Sequence, residues 1–446
     1  MRDIVVLVIV SIMAIMALRR PWIGVILWTW LSMMNPHRFA WGIAYSAPLA
    51  AIAAAVTVLG LLMTREKQSA FIGAPVKWYF VFLIWVTISW LLGEDVSGDF
   101  EMWNRFMKIS FMSLIAVALL LNRLQILAFI WITVFSLAIL GAKGGLFTVA
   151  TGGNYRVWGP PGSFIEGNNE FALALVAIIP LIRFLQMQVT QAKWRHALTG
   201  IMILCAAAAI GSYSRGALLG IAAMGTMFWW RTEKKLLLGV MMLVCGTSLL
   251  FFMPEEWWNR MDTIATYEED LSAIGRLNGW IVATQVAMHD IFGAGMSFLH
   301  QRFFDQWGFY NTNKIAAHSI YFQILGNHGF IGLALFMAIW FSCYRTAGWL
   351  QKHGKKRAET KWASDLGAMA QVSLIGYGVG GAFLSLAYYD LPYNVLVALV
   401  VTRKWVESRG WERDPQMSIW EYAGLQRKKP SIPVSLNGKQ SGALRG

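Results

Sequence analysis

Residues 124–142 read LQILAFIWITVFSLAILGA, a run without a single charge. A helix of about 20 apolar residues spans the roughly 30 Å hydrocarbon core of a bilayer, so this run reads as a membrane-spanning helix. Working outward, similar runs recur at 4–18, 21–34, 44–63, 76–93, 108–122, 168–188, 195–211, 214–230, 235–253, 319–343, 366–387 and 391–403. The composition agrees. Hydrophobic residues make up 57% of the 446 and charged ones 14%, against about 25% charged in an average soluble domain. So apolar a chain excludes an ordinary cytosolic enzyme and a disordered protein. The dyad alternation of membrane β-barrel strands is missing. The expected fold is an all-α polytopic membrane protein of twelve or thirteen transmembrane helices.

The net charge of +14 orients the chain and does not signal nucleic acid. Arg19-Arg20, 64–77, Arg123, 189–196, 231–235, 344–365 and the tail from 403 fall on one side, which collects 26 Lys/Arg and 8 Asp/Glu. The other side, with the amino-terminal three residues, holds 11 and 16. Basic loops stay in the cytoplasm, so the first side is cytoplasmic and the second periplasmic. The excess of basic residues also offers contacts to anionic membrane lipids. The first apolar run lacks a small-residue cleavage site and leads into Arg19-Arg20, so it reads as a retained helix. Cys205, Cys245 and Cys343 lie in or beside apolar runs, with no disulfide framework and no metal-ligand spacing.

Four parts follow: an amino-terminal bundle 1–253, a long periplasmic loop 254–318, carboxy-terminal helices 319–405 and a cytoplasmic tail 406–446. The loop opens with Pro254-Glu255-Glu256-Trp257-Trp258 and holds an expected amphipathic helix, Leu277 to His289. Loops this long usually carry function. Residues 143–167, rich in Gly and Pro, read as an irregular outer segment, and the tail from 410 as partly disordered. Gly216-x-x-x-Gly220 and Gly376-x-x-x-Gly380 are spacings that let helices pack closely.

Candidate chemistry lies on the outer side. Arg215 sits in Gly211-Ser212-Tyr213-Ser214-Arg215-Gly216, a turn between two apolar helices. Arg276 lies in the long loop, in Gly275-Arg276-Leu277-Asn278-Gly279-Trp280, and Arg156 in Asn154-Tyr155-Arg156-Val157-Trp158. A guanidinium fork suits phosphate oxygens. The competing reading is an interfacial anchor, which Arg215 fits less well because Gly and Ser beside it admit a ligand to the backbone. His318, in Ala316-Ala317-His318-Ser319-Ile320-Tyr321, stands where the loop meets the next span. Its imidazole can take a proton from an alcohol, or simply cap a helix. His37, His289, His300 and His328 are weaker candidates, and His196 and His353 lie among cytoplasmic cations. No His-Glu-x-x-His, Asp-x-Asp or paired acidic cluster is present, so neither a metal nor any other cofactor is expected. Acidic residues are missing from span centres, Glu170 and Asp390 being near outer ends, which argues against an ion-coupled transporter.

Taken in order, Asn168-Asn169-Glu170, Ser214-Arg215-Gly216, Arg276-Leu277-Asn278-x-Trp280, Ala317-His318-Ser319-x-Tyr321 and Gly326-Asn327-His328-Gly329-Phe330-Ile331-Gly332-Leu333 resemble the O-antigen ligase superfamily, with its O-antigen polymerases and bacterial protein O-oligosaccharyltransferases. The stretch from Arg20-Pro21-Trp22 to Met34-Asn35-Pro36-His37-Arg38 resembles a branch of O-glycosylation ligases associated with exosortase systems. Asn327 stands where a Glu is frequent in the family, which puts in doubt any support of the active His by that Glu here.

The resemblance implies a metal-independent, inverting glycosyltransferase of the GT-C class in the bacterial inner membrane. Such an enzyme moves a glycan from undecaprenyl diphosphate to a sugar hydroxyl of lipid A–core on the periplasmic side, in lipopolysaccharide biosynthesis. His318 is then the base and Arg215 and Arg276 hold the diphosphate. Arg156, Asn168 and Tyr321 position substrate. A polymerase or a protein O-oligosaccharyltransferase would use the same donor with another acceptor. A lipid or glycan transporter is the reading from a different class, and it has no use for a base at position 318.

Overall fold

The computed structural model describes residues 2–262, 271–309 and 316–415. Every regular element among them is helical. The first ten helices are α1 (Arg2–Arg19), α2 (Pro21–Met34), α3 (Ile43–Ser46), α4 (Leu49–Met63), α5 (Gly73–Leu91), α6 (Phe100–Leu119), α7 (Arg123–Ala150), α8 (Asn168–Gln188), α9 (Ala192–Ile210) and α10 (Arg215–Arg231). Then come α11 (Lys235–Phe251), α12 (Glu255–Asp262), α13 (Leu271–His289), α14 (Gln301–Trp307), α15 (Ile320–Gly354), α16 (Lys361–Gly381) and α17 (Asp390–Glu407). A helix lies over each of the thirteen apolar runs read from the sequence. Four of them, α5, α7, α8 and α15, are by themselves long and apolar enough to cross a membrane. The chain is an all-α, multi-spanning membrane protein with a helical loop. Met1–Asp414 form one compact unit and Pro415–Gly446 a second. Most of the expected disordered tail, 416–446, lies outside the described residues.

Helices α8 and α17 bury side chains all round, the mark of a central helix. At the periphery, α1 turns Ile4, Val5, Ile12 and Ile15 outward, and α11 turns Leu236 and Leu243 outward, as suits a lipid-facing surface. The glycine spacings do bring helices together. A Cβ at Gly220 would lie 3.2 Å from the Gly376 carbonyl oxygen, and one at Gly380 would lie 3.4 Å from that of Gly216. The glycines thus leave little room between the backbones of α10 and α16 for a larger residue.

Several boundaries differ from the sequence reading. Helix α7 continues to Ala150, so the irregular outer segment starts at 151 and not at 143. Gly144 and Gly145 act there as packing residues and not as breakers: a Cβ on Gly145 would collide with the Leu204 carbonyl of α9. A capping box of Asn122 and Gln125 starts this helix. Helix α15 runs past the expected end at 343 to Gly354, bending at Gly329, whose φ is +68°. Helix α16 stops at Gly381, short of 387. The loop helix α13 begins six residues before the expected Leu277.

The chain after α13 docks onto the α5–α6 hairpin. Asp99 accepts hydrogen bonds from the Met296 and Ser297 amides at 2.7 and 3.2 Å. Glu94 N–H donates to the Ala294 carbonyl at 3.0 Å, and Arg302 pairs with Glu94. Burial pushes the Asp99 carboxyl above its ordinary range, against the pull of the two amides. The long loop is thereby fixed to one end of the bundle.

Candidate functional site

His318 lies two residues before α15, in an extended approach anchored from α13. Trp280 of α13 donates its indole N–H to the Ala317 carbonyl at 2.7 Å. Its ring stacks on Phe322, 4.8 Å between centroids and 7° from parallel. His318 itself takes a left-handed backbone, φ +42°, a conformation non-glycine residues seldom adopt. Its Nδ1 and the Oγ of Ser319 are both buried with no hydrogen-bond partner among the described residues. Among the described residues that take a left-handed backbone without being glycine, His318 is the one that also carries a buried, unpartnered side-chain atom. Burial first, and then the charge of Arg276, bring the imidazole pKa down to about 4, so the ring is neutral near pH 7.

Arg276 projects from α13. Its charge acts on His318 and also on Glu170 in the first turn of α8. Arg276 thus acts on two groups that lie far from it in sequence. In the sequence Glu170 stands out as an acid at a span end and as part of the Asn168-Asn169-Glu170 motif, and not as a group under the charge of Arg276.

Arg215 begins α10, with Ser214 as its N-cap, the hydroxyl accepting from Ala217 N at 3.3 Å. The turn before it is held from several sides. Asn168 donates its side-chain amide to the Ser212 carbonyl at 2.7 Å. Tyr213, with φ +62°, donates its hydroxyl to the Gly153 carbonyl at 2.8 Å. Val157 N–H reaches the Gly211 carbonyl at 3.1 Å, and the Trp257 indole reaches that of Ile210 at 3.1 Å. The next residue, Gly216, packs where a Cβ would lie 3.0 Å from Phe383, and Phe383 sits 6.5 Å from the Trp280 ring. Gly216, next to Arg215, thus lies against Phe383, which neighbours the Trp280 ring that anchors the His318 segment.

The other expected residues have different surroundings. Asn168 works through the Ser212 carbonyl. Tyr321 gives its hydroxyl to the Gly378 carbonyl at 2.9 Å, tying α15 to α16. Arg156 is exposed, lies 5.5 Å over the Tyr213 ring, and lines a cavity that His318 and Arg276 do not. Asn327 does not support His318. Its oxygen accepts from Phe298 N at 3.0 Å, and its amide donates to the Met296 carbonyl at 2.6 Å and the Tyr388 hydroxyl at 2.9 Å. A carboxylate could not make the bond to Met296. Asn327→Asp should therefore lower stability by about 1–3 kcal/mol, the cost of leaving a buried carbonyl unpaired, seen as a lower melting temperature in detergent. The neighbouring His328 is also structural, its two ring nitrogens 2.7 Å from Ser89 Oγ and 2.8 Å from Tyr388 Oη.

A cavity of about 500 Å³ reaches Ala316 and Ala317, just before His318, while His318, Arg276 and Arg215 are not among its lining residues. Ala316, Ala317 and Gln323 form one wall, and Asp99, Glu101 and Arg105 another. Arg105 and Gln323 escaped the sequence reading because each belongs to a helix and their convergence depends on the docked loop. Arg105 is held by the Phe164 ring, 3.9 Å from its Cζ. Among the described residues, no group of three His, Cys, Asp or Glu is arranged to hold a metal.

Residues 200–337 match the family model described as O-Antigen ligase, and residues 1–190 match one described as a family of unknown function. No curated protein matches the chain. The O-antigen ligase match takes in Arg215, Arg276 and His318.

Proposed function

We propose that the chain, a member of the O-antigen ligase superfamily over residues 200–337, is a metal-independent inverting glycosyltransferase of the GT-C class. It transfers a glycan from undecaprenyl diphosphate to a sugar hydroxyl of lipid A–core at the periplasmic face of the bacterial inner membrane. The observation that carries this reading is His318: a neutral imidazole with a buried, unpartnered nitrogen under the charge of Arg276. In the reaction the acceptor oxygen bonds to the anomeric carbon, the bond from that carbon to the diphosphate oxygen breaks, and the acceptor proton passes to His318. Arg276 and Arg215 stabilise the charge growing on the leaving diphosphate. Asn168 keeps Arg215 in place by holding its turn, and Tyr321 fixes the helix that follows His318.

A base with a pKa near 4 is weak in the empty site. The donor diphosphate offsets the charge of Arg276, raises the imidazole pKa and strengthens the base when substrate is present. The free site stays neutral down to its own pKa. The acid limb of kcat/KM should therefore fall near pH 4 to 5, below the ordinary imidazole range of about 6.5. The acid limb of kcat should lie higher. A pH series on the purified enzyme checks both.

The deciding experiment mixes the purified protein with undecaprenyl diphosphate–linked glycan and lipid A–core, with a chelator present, and follows the acceptor by gel shift. A shift that disappears in His318→Asn supports the assignment. A full shift in that variant removes His318 from the chemistry. Glycan transport without transfer would favour the transporter reading, and transfer to another glycan or to protein would change the acceptor alone.

A further inference from the structure

A second cavity, of about 300 Å³, opens between the carboxy-terminal part of α7 and residues 156–160. Two cations line it, Lys143 and Arg156, and no carboxylate does. Lys143 Nζ lies 5.4 Å over the Phe39 ring, and Arg156 Cζ 5.5 Å over the Tyr213 ring. A ring face steadies a cation but leaves most of its N–H donors available. Among the described residues neither cation pairs with an acid. The remaining lining is largely apolar, with Leu140, Phe147 and Phe171 prominent. Phe147 and its neighbours Ile139, Leu146 and Val149 on α7 are exposed, and α7 is long and apolar enough to cross the membrane. Two positive heads beside an exposed apolar face of α7, which extends to both sides of Lys143, match an amphiphile with a negative head.

We propose that this cavity binds the phosphate of an anionic lipid, at a site separate from the His318 group, with the acyl chain along the exposed face of α7. The phosphate oxygens bridge Lys143 and Arg156. Because Arg156 lies on Tyr213, and Tyr213 belongs to the turn that begins α10, occupancy also steadies the backbone that carries Arg215.

The test is native mass spectrometry of the full-length protein in detergent, offered phosphatidylglycerol, phosphatidylcholine or inorganic phosphate. The unmodified protein should retain phosphatidylglycerol in preference to phosphatidylcholine. The double variant Lys143→Gln/Arg156→Gln should weaken that retention by about tenfold or more, the effect of removing two interfacial cations. Lys143→Arg alone should keep it. Both altered residues are exposed, and an unchanged gel-filtration profile and melting curve without lipid confirm folding. If the double variant does not fold, Lys143→Gln alone takes its place, with a loss of about threefold expected, half the free energy of the tenfold loss. Equal retention by the unmodified protein and the variant would overturn the site. So would equal retention of the two lipids. Inorganic phosphate binding that depends on the two cations, without a phosphatidylglycerol preference, would assign the cavity to free phosphate and overturn the lipid.

Discussion

His318→Asn is expected to reduce glycan transfer by about two to four orders of magnitude, the usual worth of a positioned general base. Asparagine is the informative replacement because it tolerates the left-handed backbone recorded at this position. The segment should keep its shape, with Trp280 still bonded to the Ala317 carbonyl. Asn can donate a hydrogen bond to an acceptor sugar but cannot remove its proton. The loss should therefore fall on kcat, with KM for the acceptor little changed. His318→Ala should lose as much activity and also some stability, because alanine retains the backbone strain without the side chain's contacts. Single-turnover rates with a radiolabelled donor, together with melting curves of both variants, measure the two effects separately. Transfer by His318→Asn within a few-fold of the unmodified protein would end the base assignment.

Arg276→Gln is expected to cost about two to three orders of magnitude in kcat, equivalent to roughly 2.7–4 kcal/mol of transition-state stabilisation. It should leave a second signature. The positive charge of Arg276 is one of the two causes that hold the His318 pKa down. Removing that charge raises the pKa, so the acid limb of kcat/KM should move from near pH 4 to 5 toward neutrality. An arginine that served only to brace α13 would lower the amount of folded enzyme and leave the pH profile where it was. Arg215→Gln should lose activity on the same scale without moving that limb, since its charge is not among the causes acting on His318. Measuring kcat/KM across pH for the three proteins distinguishes these roles.

The transmembrane helices were legible because burial in lipid leaves a plain trace, long stretches without charge. Their ends were less so. Lys143 and the two glycines after it look like the close of a span, yet α7 continues to Ala150 because those glycines fit against α9. Likewise the charges after Tyr344 suggested a loop where α15 extends as a polar helix to Gly354. His318 and Arg276 stood out as polar residues at the junctions of an unusually long loop. That Arg276 acts on Glu170 was not legible, since nothing local to Asn168-Asn169-Glu170 points to a cation of the distant loop. The wall of the larger cavity was similarly hidden. Arg105 and Asp99 precede the Met296–Leu299 segment by nearly two hundred positions, and only docking of the loop unites them. The doubt that the sequence raised at Asn327 has a structural counterpart: its side-chain amide is used up on the loop backbone and Tyr388.

The bond from Trp280 to the residue before His318, with the stack on Phe322, has a consequence for how such proteins can be recombined. The long loop and the start of α15 behave as one part with a built-in latch. A chimera that imports a relative's loop but keeps the native 317–322 segment would have to supply an indole at the position of Trp280, or His318 would lose its mounting. Loop exchange should therefore succeed when the transplanted piece ends beyond Phe322, and fail at a boundary drawn at the membrane edge.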